Sequence, residues 1–429
     1  MASGSPLAEA ALRRQEERLR WWRDARFGLF IHWGPASVCG GEISWCRKGH
    51  PADHSGFETL ERAEYDSLYK RFNPVAFDAD EWMALARAAG MKYVVFTAKH
   101  HDGFANWNTR LSDYKITSPQ CPFRRDICRE IADAAHRQGL KLGWYYSTRD
   151  WWHKDYLQGD NRRYDEYYRG QIRELLTGYG QVDVMWFDHI SGRWSGYDIP
   201  ALFEMMWQLQ PDMVVNNRAA AWVFPPADER PPEIGPWIAG DFDTPEQTLG
   251  AFQYGRAWES CITLTRCADG GGWSYRPDGT TRTFEEALGM LVRCAGGDGN
   301  LLLNVGPPPT GRIAPDQAAV LRQMGQWLAV NGRAIYGTRG GPFLPAGDVL
   351  STRGDNRIFL HLLRPAEGVI RLPAIGPRIL SATLPAGGHV AVAQGPGGIE
   401  LTLSQAAVTP PCTVVELVID GSALEISPR

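Results

Sequence analysis

The sequence predicts a (β/α)8 barrel followed by a C-terminal antiparallel β-sandwich. Three observations carry that prediction. From about residue 27 the 429-residue chain alternates eight short apolar runs with segments of helical period. No G-x-G-x-x-G turn follows the first run, because "HWGPASVCGGE" has other spacing and no helix pattern directly after it, which disfavours an open nucleotide-binding sheet. After Gly341 the helical period stops, and short β-branched runs separated by Pro and Gly take over.

The elements follow in order. The opening stretch "MASGSPLAEAALRRQEERLRWWRDARFG" reads as a charged helix without an apolar h-region, so no secretory signal and a cytoplasmic location are expected. The strand candidates are "FGLFIHW", "KYVVFTAKH", "KLGWYYS", "VDVMWFD", "DMVVNN", "WIAGDFD", "CITLTR" and "NLLLNVG". Between them "DADEWMALARAAG" places Trp82, Leu85, Ala86 and Ala89 on one helical face, with Gly90 as the stop. "RDICREIADAAHRQG" repeats the scheme with Ile127, Ile131, Ala134 and Ala135 before Gly139, and "DQAAVLRQMGQWLAVNG" with Val320, Met324 and Leu328. The barrel is taken as residues 1–340 and the sandwich as residues 341–429.

Composition narrows the function. The chain is 44% hydrophobic and 22% charged with a formal net charge of −4, so it has no basic excess for nucleic acid or an anionic membrane surface. Its longest apolar runs are strand-sized, so no membrane span is expected. Seventeen Trp are an excess that fits stacking on the C–H faces of sugar rings, although Trp also fills cores. The eight Cys never form C-x-x-C and are read as free thiols.

Catalytic groups in such a barrel sit at the C-terminal strand ends. Five successive strand ends here are polar: His32; Lys99, His100, His101 and Asp102; Tyr145, Tyr146 and Ser147; Trp186 and Asp188; Asn216, Asn217 and Arg218. Trp186 and Asp188 are two apart and share a face, so an acid is directed the same way as a large aromatic. Burying it is costly unless it is used. A helix-capping role for Asp188 is disfavoured, because "HISGRW" after it does not open a helical pattern. His100 and His101 face opposite ways on a regular strand, so joint chelation requires a bend, and no third ligand stands at a recognisable spacing. No metal and no cofactor are expected.

A pocket with a carboxylate, histidines, an arginine and aromatic walls from Trp45, Trp186 and Trp107 suits glycoside cleavage, which needs two carboxylates. Asp188 supplies one. The second comes from Glu246, Glu259, Glu42, Asp241 or Asp243.

In order along the chain, "RFGLFIHWG", "YVVFTAKHHDGF", "VDVMWFD", "GNLLLNVGP" and "NGRAIYGTR" resemble the signatures of the α-L-fucosidases of glycoside hydrolase family 29. The resemblance implies a retaining exo-hydrolase that removes terminal α-linked L-fucose from oligosaccharides or glycoconjugates by double displacement, without metal or organic cofactor. It implies Asp188 as nucleophile and His32, His100, His101, Trp45, Trp186 and Arg218 as sugar-binding residues. The strand-end tyrosine falls on Tyr145 or Tyr146, and Tyr146 is taken. "DFDTPEQ" resembles the segment that carries the acid/base, which places that role on Glu246, with Glu259 as the alternative. His189 stands where that family commonly has glycine. Other readings of the same pocket are a related exo-glycosidase or transfucosidase, or a catalytically silent carbohydrate-binding protein.

Overall fold

The computed structural model describes residues 6–50, 56–188, 190–221, 223, 236–363, 368–385, 387, 390–404 and 408–429; His189 lies outside them. All eight strand candidates contribute to one parallel sheet. These are β1 (Phe27–Ile31), β2 (Tyr93–Lys99), β3 (Lys141–Ser147), β4 (Val184–Asp188), β5 (Val214–Val215), β6 (Phe242–Asp243) and β7 (Ala257–Thr263), followed by a short antiparallel ribbon of β8 (Thr265–Arg266) and β9 (Thr280–Thr281), then β10 (Asn300–Val305). The spatial order is β5-β4-β3-β2-β1-β10-β7-β6, and a parallel bridge between Asn216 and Phe242 joins the two ends into a barrel.

That closing seam explains why "DMVVNN" and "WIAGDFD" form strands of only two residues. Asp241 takes over part of the ladder. Its backbone N–H donates to the Val215 carbonyl at 2.6 Å, and its Oδ2 accepts the Val215 N–H at 2.9 Å. Its Oδ1 accepts Arg18 at 2.8 Å, a fully buried ion pair. Gly240 before it has φ 74°, and a Cβ there would collide with the Asn216 carbonyl. Asp241 is therefore a closure residue and not a second catalytic acid.

The barrel interior follows the strand period of two. Phe30, Val95, Tyr145, Val184, Trp186, Val214 and Leu302 form the inner cluster, and Leu19 and Trp22 of the N-terminal helix Gln15–Ala25 belong to it. The alternate residues Leu29, Val94, Leu142, Trp144, Tyr146, Met185 and Phe187 belong to the outer core. Helix Ala79–Ala88 starts on the Asp78 side chain, which accepts the Glu81 N–H, and buries Trp82 and Met83. Helix Ile127–Gln138 starts likewise on Asp126 and stops at left-handed Gly139. Each such large apolar side chain contributes roughly 1.5–3 kcal/mol on burial.

The C-terminal region is an antiparallel β-sandwich. One sheet is β11 (Arg339–Gly340), β12 (Val349–Gly354), β13 (Arg357–Leu362), β18 (Thr413–Ile419) and β15 (Ile379–Thr383). The other is β14 (Gly368–Leu372), β17 (Gly398–Leu403) and β16 (Ala391–Gly395). Ile358, Leu360, Leu372, Leu401, Val415 and Leu417 fill the space between them. Leu350, Phe359 and Val414 point the other way and join the outer core of the barrel with Leu291 and Met324. Among the described residues, no helix is long and apolar enough to cross a membrane.

Candidate active site

At the C-terminal end of the barrel, Phe30, His32, Trp45, His100, Tyr145, Trp186, Asp188, Arg218, Glu246 and Trp273 line one small cavity of about 30 Å³. That volume is well below the roughly 300–1,000 Å³ of an ordinary ligand pocket. A larger cleft lies between outer helices around Glu81, Trp82 and Arg322, with Glu81 as its one acid among the described residues.

Asp188 ends β4 inside the barrel with both oxygens engaged. Oδ2 accepts the Tyr145 hydroxyl at 2.8 Å, and Oδ1 accepts Arg218 Nη1 at 2.7 Å. The same Arg218 nitrogen lies 2.9 Å from Glu246 Oε2. These two carboxylate oxygens are therefore separated by at most the sum of the two contacts, about 5.6 Å. The Asp188 side chain is 9% exposed and that of Glu246 38%, so one acid sits deep and the other toward the opening. Burial works against the Arg218 charge, but Asp188 and Glu246 outweigh it and hold its pKa above the ordinary arginine value. Thr244 orients the guanidinium by accepting Nε at 2.8 Å and Nη2 at 3.0 Å, and the guanidinium lies 4.7 Å above the Trp186 ring.

His32 is neutral. Burial lowers its pKa to about 4, although Asn304 and Asp188 push the other way. Asn304 spends its amide N–H on the Trp273 carbonyl at 2.7 Å, so its Oδ1 faces His32 Nδ1, also at 2.7 Å. Nδ1 must then donate, which leaves Nε2 as an acceptor for a hydroxyl. The bend that His100 and His101 require is present: the β2–β3 register shifts between Thr97 and Lys99, and the two imidazoles come within 4.0 Å of each other. His100 lines the cavity and its Nδ1 meets Ser44 Oγ at 2.6 Å. His101 stands behind Asp188, with Nε2 at 3.9 Å from Oδ2 and Nδ1 on Ser147 Oγ at 2.6 Å. The ligand atoms of His100, His101 and Asp188 all lie within 4.8 Å of one another, but a dication there would face the Arg218 charge and compete with Tyr145 and Arg218 for both Asp188 oxygens. The donor set fits a hydroxylated ligand better than a metal.

Several expected residues lie elsewhere. Tyr146 does not reach the cavity. It faces the outer helices, donating to Gln171 at 2.7 Å, because Tyr145 pairs in register with Trp186 and the neighbouring residue must face outward. Tyr145 takes the position at Asp188, with its ring stacked on His100 at 5.4 Å. Trp107 is buried against Glu174. Asp243 pairs with Arg256. Glu42 accepts the backbone N–H groups of Gly272 at 2.7 Å and Trp273 at 3.0 Å, and so holds the Trp273 loop. Trp273 is the site aromatic that sequence reasoning missed; the signal was a single Trp after three glycines in "DGGGWS".

Glu259 is inside the barrel but not in the cavity. Its Oε1 accepts Trp186 Nε1 at 3.2 Å and its Oε2 accepts the Tyr93 hydroxyl. Burial raises its pKa to about 7 against the lowering effect of these donors. It supports Trp186 from the barrel interior and is not placed to meet a leaving group.

The α-L-fucosidase family model matches residues 7–333. Rat plasma alpha-L-fucosidase is 32% identical over 339 residues, 74% of this chain and 70% of that one. The human plasma enzyme is 30% identical over 339 residues, 74% of this chain and 69% of its own. Among solved structures, alpha-L-fucosidase isoenzyme 1 from Paenibacillus thiaminolyticus superposes with a TM-score of 0.83 at 33% identity, over 95% of this chain and 99% of that one. Thermotoga maritima alpha-fucosidase, solved in complex with a mechanism-based inhibitor, gives 0.75 at 27% identity over 95% and 98%.

Two outcomes follow from this geometry. Tyr145→Phe removes a hydrogen bond to an ionised carboxylate and should lower kcat/KM roughly tenfold to a hundredfold, whereas Tyr146→Phe should stay within about twofold. Steady-state kinetics on an aryl glycoside distinguishes them, and equal losses would contradict the assigned faces. For Glu259, a carboxyl pKa raised from 4.5 to about 7 on folding gives stability that is present below 4.5 and lost as pH rises toward 7. The loss is on the order of 3 kcal/mol. Glu259→Gln should flatten the decline of Tm across that window, and an unchanged pH slope would place the titration elsewhere.

Proposed function

Because the chain belongs to the α-L-fucosidase family and is a glycoside hydrolase, we propose that it removes terminal α-linked L-fucose from oligosaccharides or glycoconjugates with retention of configuration. The observation that carries the stereochemical reading is that Asp188 and Glu246 rest on one arginine nitrogen. Retaining enzymes hold their carboxyl groups about 5–5.5 Å apart, and inverting ones roughly 6.5–9.5 Å to admit a water. The bound set by Arg218 favours the first class.

In this reading Asp188 attacks the anomeric carbon. Tyr145 and Arg218 keep it ionised and aimed, and Glu246 at the opening protonates the departing oxygen, then activates the water that frees the sugar. His32, through Nε2, accepts a sugar hydroxyl and His100 binds another, while His101, outside the cavity lining, backs Asp188. Trp45, Trp186 and Trp273 supply the apolar surface that the C–H faces and the methyl of a 6-deoxy sugar require. Residues 1–340 are assigned as the catalytic barrel, and residues 341–429 as a sandwich that covers the outer helices without contributing a residue to the cavity described above.

Azide separates the two carboxylate roles. Asp188→Gly should lose on the order of 10³-fold or more in kcat and regain turnover with azide as the inverted glycosyl azide. Glu246→Ala should lose about 10²–10⁴-fold on poor leaving groups, less on 4-nitrophenyl α-L-fucoside, and give the retained azide. Exchange of the two product configurations between the variants would reverse the assignment.

A further inference from the structure

The mechanism uses none of the eight cysteines, yet two of them face each other beside the cavity. Cys39 follows the short 3-10 turn Pro35–Val38 and is exposed. Cys46 is fully buried in a small cluster with Ala36, Ile43, Tyr65 and Leu68. Their sulfurs are 3.9 Å apart. Among the described residues this is the one pair of thiols in mutual hydrogen-bonding contact. The loop is shaped to bring them together. A Cβ at Gly41 would lie 2.6 Å from Cys46 Sγ and 3.3 Å from Cys39 Sγ, so only glycine lets the chain pass between the sulfurs without displacing one.

We propose that Cys39 and Cys46 are a peroxide-oxidisable dithiol that closes to an intrachain disulfide and thereby lowers the enzyme's turnover. The Cys39 thiolate attacks one oxygen of hydrogen peroxide, the O–O bond breaks, and Cys39 becomes a sulfenic acid with release of hydroxide. The Cys46 sulfur then attacks the Cys39 sulfur, the S–O bond breaks, and the second oxygen leaves as water after taking up a proton. Two thiols are oxidised and one peroxide is reduced to two waters. The asymmetry of exposure fits these roles, with an accessible attacking sulfur and a protected resolving one. The Cys46 hydrogen bond, the largest influence on Cys39, lowers that thiol's pKa to about 7, although burial opposes the shift.

The consequence for catalysis comes from what lies between the two sulfurs. Ser44 Oγ meets His100 Nδ1 at 2.6 Å and accepts the Asp102 N–H at 2.9 Å. Trp45 lines the cavity, and Glu42 holds the Trp273 loop. A disulfide is about 2.05 Å long, so closing the pair draws the ends of this segment together and shifts Ser44 and Trp45. Displacements of about 1 Å at a positioning residue cost up to about a hundredfold in rate.

The dithiol itself is independent of the fucosidase reading; only its effect on turnover rests on that reading. The test treats the full chain with stoichiometric hydrogen peroxide, alkylates it with N-ethylmaleimide, and maps the tryptic peptide that holds both cysteines. The expected result is a peptide two hydrogens lighter with neither thiol alkylated, and kcat/KM on 4-nitrophenyl α-L-fucoside lowered at least fivefold and restored by dithiothreitol. Cys39→Ser should retain basal activity and resist the loss. Cys46→Ser should stop at a dimedone-reactive sulfenic acid, and because Cys39 is exposed, the serine variant there keeps the test interpretable if the buried one fails to fold. Full alkylation of both thiols after peroxide would overturn the proposal. A disulfide formed without change in kcat/KM would overturn its effect on turnover while leaving the fucosidase reading intact.

Discussion

Two carboxylates that share one guanidinium nitrogen are the constraint on which the site depends. At about 5.5 Å and an effective dielectric of 20, two carboxylate charges repel by about 3 kcal/mol. Arg218 removes that repulsion, because the same cation touches both. It cannot move without releasing one acid or the other, and Thr244 and Trp186 fix its plane. In the proposed mechanism the difference in exposure divides the work between the acids. The deep one carries donors on both oxygens, and the outer one is open to solvent.

The weakest part of the barrel supplies these groups. Arg218 follows β5 and Glu246 follows β6, two strands of two residues each, joined across the seam by Asn216 and Phe242. What keeps the seam in place is the Asp241 side chain standing in for a backbone partner, backed by Arg18 from the N-terminal helix. A buried ion pair of this kind is costly to break from one side. The helix that fills the barrel's lower end thus bears on the position of Arg218, which links a charged N-terminal segment to the proposed chemistry at the opposite end.

Much of this was legible in the sequence. The alternation of apolar runs and helical faces gave the barrel, the turn chemistry gave the sandwich, and the family likeness holds across most of the chain. The period of two tied Trp186 to Asp188 directly. The same rule could have separated Tyr145 from Tyr146: in "KLGWYYS" the large residues Leu142, Trp144 and Tyr146 form the outer face, and Gly143, Tyr145 and Ser147 the inner one. Glu259 was harder to place, because strand parity directs it inward as it does Trp186 and Asp188, and only depth along the barrel puts it below Trp186. Trp273 and Glu42 come from loops, whose positions depend on contacts between distant segments. Local sequence rules do not specify such contacts.

The most direct test of the shared-arginine account is the configuration of the first product. Following 4-nitrophenyl α-L-fucoside hydrolysis by proton NMR before mutarotation should show α-L-fucose as the initial anomer, as double displacement through Asp188 requires. Initial β-L-fucose would mean that water, and not a carboxylate, attacks the sugar, and would contradict the close Asp188–Glu246 pairing on which the account rests.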